Sequence, residues 1–262
     1  MDKKLLLDRA AKDAEERIFL ARVLDKYEQS STRNIPAHTG FLSPAEQRSV
    51  SDLLHAAAIH DGFSFLGGCE RAERKILCFF PSWQEEADDA EYIAALRCTF
   101  HDAGALTHRD FLGSLMGLQI TREKIGDILV GDTSADLIVS RDIAEYLLQN
   151  LTSAGRVKLS IAQIELSELA VPTPNVKVIR DTVATLRLDA VTGAGFSLSR
   201  GKARELIVSG CVQLNHRETL KSDALVTQGD VVSARGLGKF EVAEVGGLSR
   251  KGRTGVTLRR YL

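Results

Sequence analysis

From Tyr92 to Leu166 the apolar residues change period repeatedly, and that alternation restricts the fold more than any other feature of the chain. "YIAALRCTFH" (92–101) reads as a strand and "HRDFLGSLMGL" (108–118) as a helix. "IGDILVG" (125–131) and "ADLIVS" (135–140) read as strands, "RDIAEYLLQNL" after Ser140 as a helix, and "VKLSIAQIEL" (157–166) as a last strand. The resulting order is β-α-β-β-α-β.

That order is the ferredoxin-like split pattern also used by RNA-recognition motifs. Those domains stack bases on aromatic rings of two central strands. Here the strand at 135–140 has no aromatic residue and 92–101 has only Tyr92 and Phe100, so that binding surface is not expected.

Upstream, residues 2–28 read as one amphipathic helix carrying Leu5, Leu6, Ile18, Phe19, Leu20, Val23 and Leu24. A polar link, "EQSSTRNIPAHTG", leads to a second helix with Ser43 as N-cap, Pro44 at the first position and Glu46 as capping-box partner; Gly62 is expected to close it. "ILCFF" (76–80) reads as a short strand, and the two prolines of "VPTPNVK" (171–177) mark a domain boundary. The expected organisation is α+β: a helical N-terminal region (1–66), a ferredoxin-like or RRM-like domain (67–170) and a third domain (180–262).

The net charge of −1 conceals a polarised chain, because Arg180 to Leu262 carries 14 Lys plus Arg against 8 Asp plus Glu while the remainder carries 20 against 27. A basic terminal domain on an acidic body suits a polyanion-binding module, since phosphate neutralisation supplies most non-specific nucleic-acid affinity. A merely solvated charged surface is the bland alternative. The acid-rich start and the lack of a bilayer-length apolar run lead to the expectation of a cytoplasmic protein without membrane contact. Cys69, Cys78, Cys98 and Cys211 form no CxxC pair and read as free thiols. His101 and His108 near Asp102 and Asp110 match no helical ligand pair, so no metal is expected.

In "SLSRGKARELIVSGCVQLNHRET" (197–219), Ser197 or Ser199 can cap a helix that runs to about Ser209, and Gly210 stops it. Ala203, Leu206 and Ile207 share one helical face suited to a core, which leaves Arg200, Lys202 and Arg204 projecting around it. "VQLN" then reads as a strand with Gln213 and Asn215 on one side, followed by strands at "DVVSAR", "KFEVAEV" and "GVTLRRY". Arg235, Lys239, Lys251 and Arg253 lie in glycine-rich stretches, where the backbone can approach a phosphate or simply turn a hairpin.

From Arg187 to Arg235 this layout resembles the S4 (α-L) RNA-binding domain of a ribosomal protein, some tRNA synthetases and pseudouridine synthases. The resemblance rests on Arg187-Leu188-Asp189, Ser199-Arg200, Lys202-Ala203, Leu206-Ile207, Gly210, Val212, Leu214-Asn215 and Gly229-Asp230-Val231-Val232. With "FLSPAEQ", "GGCERAERK", "HRDFLGSLMGL", "REKIGDILV", "TVATLRLDAV", "SARGLGKFEV" and "RKGRTGVTLRRY", nearly the whole chain resembles YlmH-type S4 proteins. That resemblance implies an RNA-binding protein of the large ribosomal subunit, thought to engage peptidyl-tRNA-bearing subunits in ribosome-associated quality control and linked genetically to cell division in some bacteria.

The candidate RNA-binding residues are therefore Arg187, Ser199, Arg200, Lys202, Arg204, Gln213, Asn215, Arg235, Lys239, Lys251 and Arg253, with Arg71, Arg74 and Lys75 of "GGCERAERK" as secondary candidates. Plain solvated side chains are the alternative, with Asn215 a turn former and Asp189 a capping or bridging carboxylate. "HRD" at 108–110 lacks the Asn and DFG of a kinase, and the glycines before Cys69 lack P-loop spacing; His108 to Asp110 more simply start a helix. The expectation is a monomeric binder of rRNA or tRNA that is not an enzyme and uses no cofactor or small-molecule substrate. The rival readings are an RNA-modifying enzyme of pseudouridine synthase type, in which Arg187-Leu188-Asp189 supplies the catalytic Asp, and a protein-binding adaptor.

Overall fold

The computed structural model describes residues 3–84, 87–101, 106–172, 175–249 and 252–261, and the chain divides into two compact units, Met1–Pro172 and Thr173–Leu262. Among the described residues no helix is long and apolar enough to cross a membrane.

The first unit opens with two helices, α1 (Lys3–Ala10) and α2 (Ala14–Arg33), where the periodicity predicts one. The break falls at Asp13, whose carboxylate accepts the Glu16 N–H at 2.8 Å while the Glu16 carboxylate accepts the Lys12 N–H at 2.8 Å. Reciprocal capping satisfies donors that a continuous helix would not leave open. The bend lets Leu7 of α1 and Leu20, Val23 and Leu24 of α2 enter one core. α2 then runs through much of the expected polar link, and the link's last residues form β1 (Ala37–Leu42).

Helix α3 (Pro44–Ala56) starts as its sequence dictates, with Ser43 as N-cap, Pro44 in the first turn and the reciprocal Glu46 bond, Ser43 N to Glu46 Oε2, at 2.6 Å. It stops six residues before Gly62: Ala58 takes the left-handed conformation (φ 55), and the Ile59 N–H closes back on the Leu54 carbonyl. This is a Schellman closure with alanine where glycine is usual. Strands β2 (Phe63–Leu66) and β3 (Lys75–Phe79) follow, and β3 lies between β1 and β2 in an antiparallel three-stranded sheet. Residues 75–79 therefore complete a sheet begun before residue 66. The boundary expected between 66 and 67 falls inside that sheet, and the region before it is not purely helical.

A single turn, α4 (Asp89–Tyr92), leads into the predicted alternation: β4 (Ile93–Thr99), α5 (His108–Gly117), β5 (Ile125–Val130), β6 (Ser134–Ser140) and α6 (Ala144–Asn150). A small hairpin of β7 (Ser153–Ala154) and β8 (Val157–Lys158) comes before β9 (Ser160–Ile164). The sheet order β5-β6-β4-β9, antiparallel throughout, is the split arrangement of a β-α-β-β-α-β chain. Phe111, Leu115 and Leu147 of the helices cover one face over Leu96, Leu137 and Val139. The other face meets the first sheet: Ile93 and Ile138 pack with Phe41, Leu66, Ile76 and Cys78. Gly126 permits that approach, since a Cβ there would lie 2.7 Å from a Phe41 ring carbon.

The second unit is one antiparallel sheet with two helices on it. Its strands are β10 (Val176–Val183), β11 (Val212–Leu214), β12 (Arg217–Glu218), β13 (Val231–Ala234), β14 (Gly238–Leu248) and β15 (Thr254–Tyr261), in the order β10-β15-β14-β13-β11-β12. Between β10 and β11 stand α7 (Leu188–Phe196) and α8 (Arg200–Val208). The periodicity predicts α8 but not α7, where Thr192, Gly193 and Gly195 have poor helix propensity. Burial overrides propensity: nearly every residue of α7 is enclosed, and a helix apolar on all sides is a core helix. Gly195 is required there because a Cβ would sit 2.3 Å from the Phe240 ring, which also stacks edge-on with Phe196 at 5.0 Å between centroids.

Candidate nucleic-acid interface

Helix α8 is built from its N-cap outward. The Ser199 hydroxyl accepts the Lys202 N–H at 3.2 Å, Ala203 and Ile207 are fully buried, and Gly210 follows the last turn at φ 72. With that stripe anchored, Arg200, Lys202 and Arg204 are all exposed. Arg200 and Arg204 are one turn apart on the same side. Ser197 instead ends α7, in the left-handed conformation at φ 56.

Beneath this surface lies Asp189, whose side chain is 3 % exposed. Arg187 Nη2 lies 3.2 Å from its Oδ2 and Arg200 Nε lies 3.1 Å from the same oxygen. Burial alone would raise this carboxyl. The hydrogen bonds from Arg187 and Arg200 outweigh it and hold the group below the usual carboxylate range. Asp189 is a bridging carboxylate, and Arg200 remains 56 % exposed while paired. The acid therefore steers two guanidinium groups without covering them.

The other candidates separate by what they touch. Gln213 is exposed on β11. Asn215 is not a surface reader: it sits at φ 51 beside His216 at φ 64, the pair of left-handed residues that a two-residue hairpin turn needs. Its amide nitrogen donates to Asp230 at 2.8 Å and its oxygen accepts the Val231 N–H at 2.9 Å, so the side chain is spent on holding β13. Arg235 is exposed in the turn after β13. Lys239 places its ammonium 5.1 Å from the centre of the Tyr261 ring. Arg253 donates to both the hydroxyl and the carbonyl of Thr182. Lys251 lies outside the described residues. Sequence reasoning missed Arg180, exposed on β10, which lines a groove of about 550 Å³ with Arg200 and Arg253. Its charge was visible, but its neighbours are remote in sequence.

In the first unit, Arg71 is exposed and Lys75 half-buried at the start of β3, but Arg74 is a structural clamp. Its guanidinium donates to the carbonyls of Phe41 (2.7 Å), Ile125 (2.8 Å) and Arg122 (3.1 Å), tying the two sheets together. These three bonds occupy the half-buried side chain. Asp110 caps α5 by accepting the Thr107 N–H and hydroxyl at 2.8 and 2.7 Å, as expected of a helix-starting "HRD". The sheet face where an RNA-recognition motif stacks bases is covered. Phe100 is buried on the helix side, Tyr92 packs edge-on against His38, and Arg97 forms a two-pronged pair with buried Asp136 at 2.7 and 2.8 Å.

All four cysteines are free thiols, and burial pushes Cys78 and Cys98 up to about 12. Among the described residues no three metal-ligating side chains come together.

A helix pair on a twisted sheet, with a basic helix face anchored by an apolar stripe, defines the class: an S4-domain protein of RNA-binding type. The S4 domain model matches residues 186–232, from the approach to α7 into β13, and a second model described as "Putative RNA-binding domain in YlmH" matches residues 101–168. The chain is 35% identical over 223 residues to the ribosome-associated protein quality control protein P2 of Bacillus subtilis, covering 85% of this chain and 86% of that protein. It belongs to the YlmH family of S4-domain proteins. The solved structure of the cell division protein YlmH from Streptococcus pneumoniae shares the fold over 62% of this chain and 98% of its own, at 20% identity and a TM-score of 0.50.

Proposed function

We propose that this protein is a cytoplasmic, monomeric RNA-binding factor that acts on the large ribosomal subunit in ribosome-associated quality control, where its S4 unit docks on structured rRNA or tRNA. It does so without a cofactor or small-molecule substrate. The observation that carries the reading is the outward face of α8, where Arg200, Lys202 and Arg204 stand exposed above a buried stripe. The S4 match and the role named for the Bacillus subtilis relative support it. Phosphate contacts from such a face fix position, and exposed Gln213 nearby can reach a sugar or base edge. With its sheet face covered, the first unit engages the rest of a ribosomal complex through other surfaces.

A modifying enzyme would use Asp189 as its nucleophile. That carboxylate is buried and held by two arginines, which suits positioning rather than attack on a base.

Filter binding of rRNA or tRNA across a salt series tests the proposal. With about five phosphates engaged, the log–log slope should be roughly −3 to −5. Lys202→Ala combined with Arg204→Ala should weaken binding without unfolding the protein, as neither side chain supports the core. Salt-independent affinity, or no crosslink to large-subunit RNA in cells, would overturn it.

A further inference from the structure

Beside α8, the second unit carries a groove of about 550 Å³ between β10 and the turn that joins α7 to α8. Among the described residues its charged lining comprises Arg180, Arg200 and Arg253 against one acid, Asp181. Two of the three guanidinium groups are held before any ligand arrives: Arg200 by Asp189 and Arg253 by the hydroxyl and carbonyl of Thr182. Arg180 and Thr182 are two residues apart, and so share a face of β10. Asp181 accepts the Thr182 N–H at 2.6 Å through one carboxylate oxygen, and its single negative charge is outnumbered by the three guanidinium groups.

We infer that this groove is a second contact site that takes the sugar–phosphate backbone of an RNA strand continuing from the α8 face. This deepens the RNA-binding reading and rests on it. Guanidinium groups match phosphate oxygens in a planar, two-pronged geometry, and groups already held in place lose little freedom on binding. The volume is in the range of small-ligand clefts, enough for a nucleotide unit. The remaining wall is mostly aliphatic, with Ala190, Ala194 and Leu198 beside the hydroxyl residues Thr182 and Ser197, and among the described residues no lining residue is aromatic. Without a ring on which to stack a base, the groove reads phosphate and ribose rather than base identity.

The test uses the full chain and a fluorescein-labelled RNA hairpin with single-stranded flanks, followed by anisotropy over a salt series. Arg180→Ala should weaken binding about 3- to 10-fold at fixed salt and make the log–log slope shallower by about 1, whatever the base sequence of the flanks. Arg180→Lys should restore the slope. Under NMR, the hairpin should shift the Nε–H resonances of Arg180 and Arg253, and adenosine monophosphate should not. Unchanged affinity and slope in Arg180→Ala, while the Lys202 and Arg204 double variant loses binding, would overturn the groove and leave the α8 reading intact. Resonances that move with the mononucleotide but not with the hairpin would make it a free-nucleotide site and overturn the inference. A wild-type chain that fails to bind the hairpin at any salt removes both.

Discussion

The buried Asp189 carboxylate lies 3.1 Å from Nε of Arg200, a residue eleven positions on and in the next helix. This bond joins the two helices of the S4 unit and sets the direction in which its first surface arginine leaves α8.

Replacing the acid separates charge from shape. Asp189→Asn keeps the volume but deprives two guanidinium groups of their anion, and a hydrogen bond to a charged group is worth about 1.5–3 kcal/mol. The transition of the C-terminal unit in urea should move down by that order, and RNA affinity should fall with it. Arg200→Lys, which keeps the charge but not the fork, should lose affinity too. An unmoved transition in Asp189→Asn would show the bridge to be incidental.

The same group predicts an acid dependence. Its folded carboxyl is held below the unfolded value, so its stabilising effect is complete above the unfolded value and is lost as pH falls through the folded one. Asp127 in the first unit acts in the opposite sense, because burial raises its carboxyl. The check must therefore be residue-specific: carboxyl NMR should show Asp189 titrating below, and Asp127 above, the ordinary aspartate range. Asp189→Asn should also flatten the acid limb of the C-terminal transition.

Arg74 supports the first unit through three carbonyls, one on β1 and two in the stretch 122–125 that leads into β5. Arg74→Ala should destabilise that unit by about 2–4 kcal/mol, since the stranded acceptors lose charge-assisted bonds. Arg71→Ala, at an exposed neighbour, should change stability by less than about 0.5 kcal/mol. Equal melting curves for the two variants would refute the clamp.

Gly195 has no room for a methyl group against Phe240. Gly195→Ala should cost about 1–3 kcal/mol or more by overpacking. Combining it with Phe240→Leu should recover part of the loss in a double-mutant cycle. Simple additivity would mean that the ring does not set the limit.

Local chemistry was legible before the fold was known. Ser43 and Glu46 cap α3, Asp110 starts α5, and Ala203 and Ile207 bury one side of α8, because each device acts within a turn or two of helix. The strand alternation from Tyr92 was equally plain, since period 2 and period 3.6 differ on inspection of the residues themselves.

What the sequence by itself determined was therefore the α+β alternation, the caps, the basic character of the last unit and the helix that carries its exposed charges. Tertiary structure decided which charges stay available. Arg74 is consumed by carbonyls 33 to 51 residues away, whereas Lys202 and Arg204 stay exposed to solvent and Arg253, although anchored by Thr182 at a distance of 71, is exposed with them; among the neutral polar groups, Asn215 is spent on Asp230. It also made a helix of α7 against its own propensity and closed the first unit's open sheet face with strands from the N-terminal region. The reason is physical: propensity and capping act between near neighbours, while burial and ion pairing depend on which distant segments the fold brings within about 4 Å.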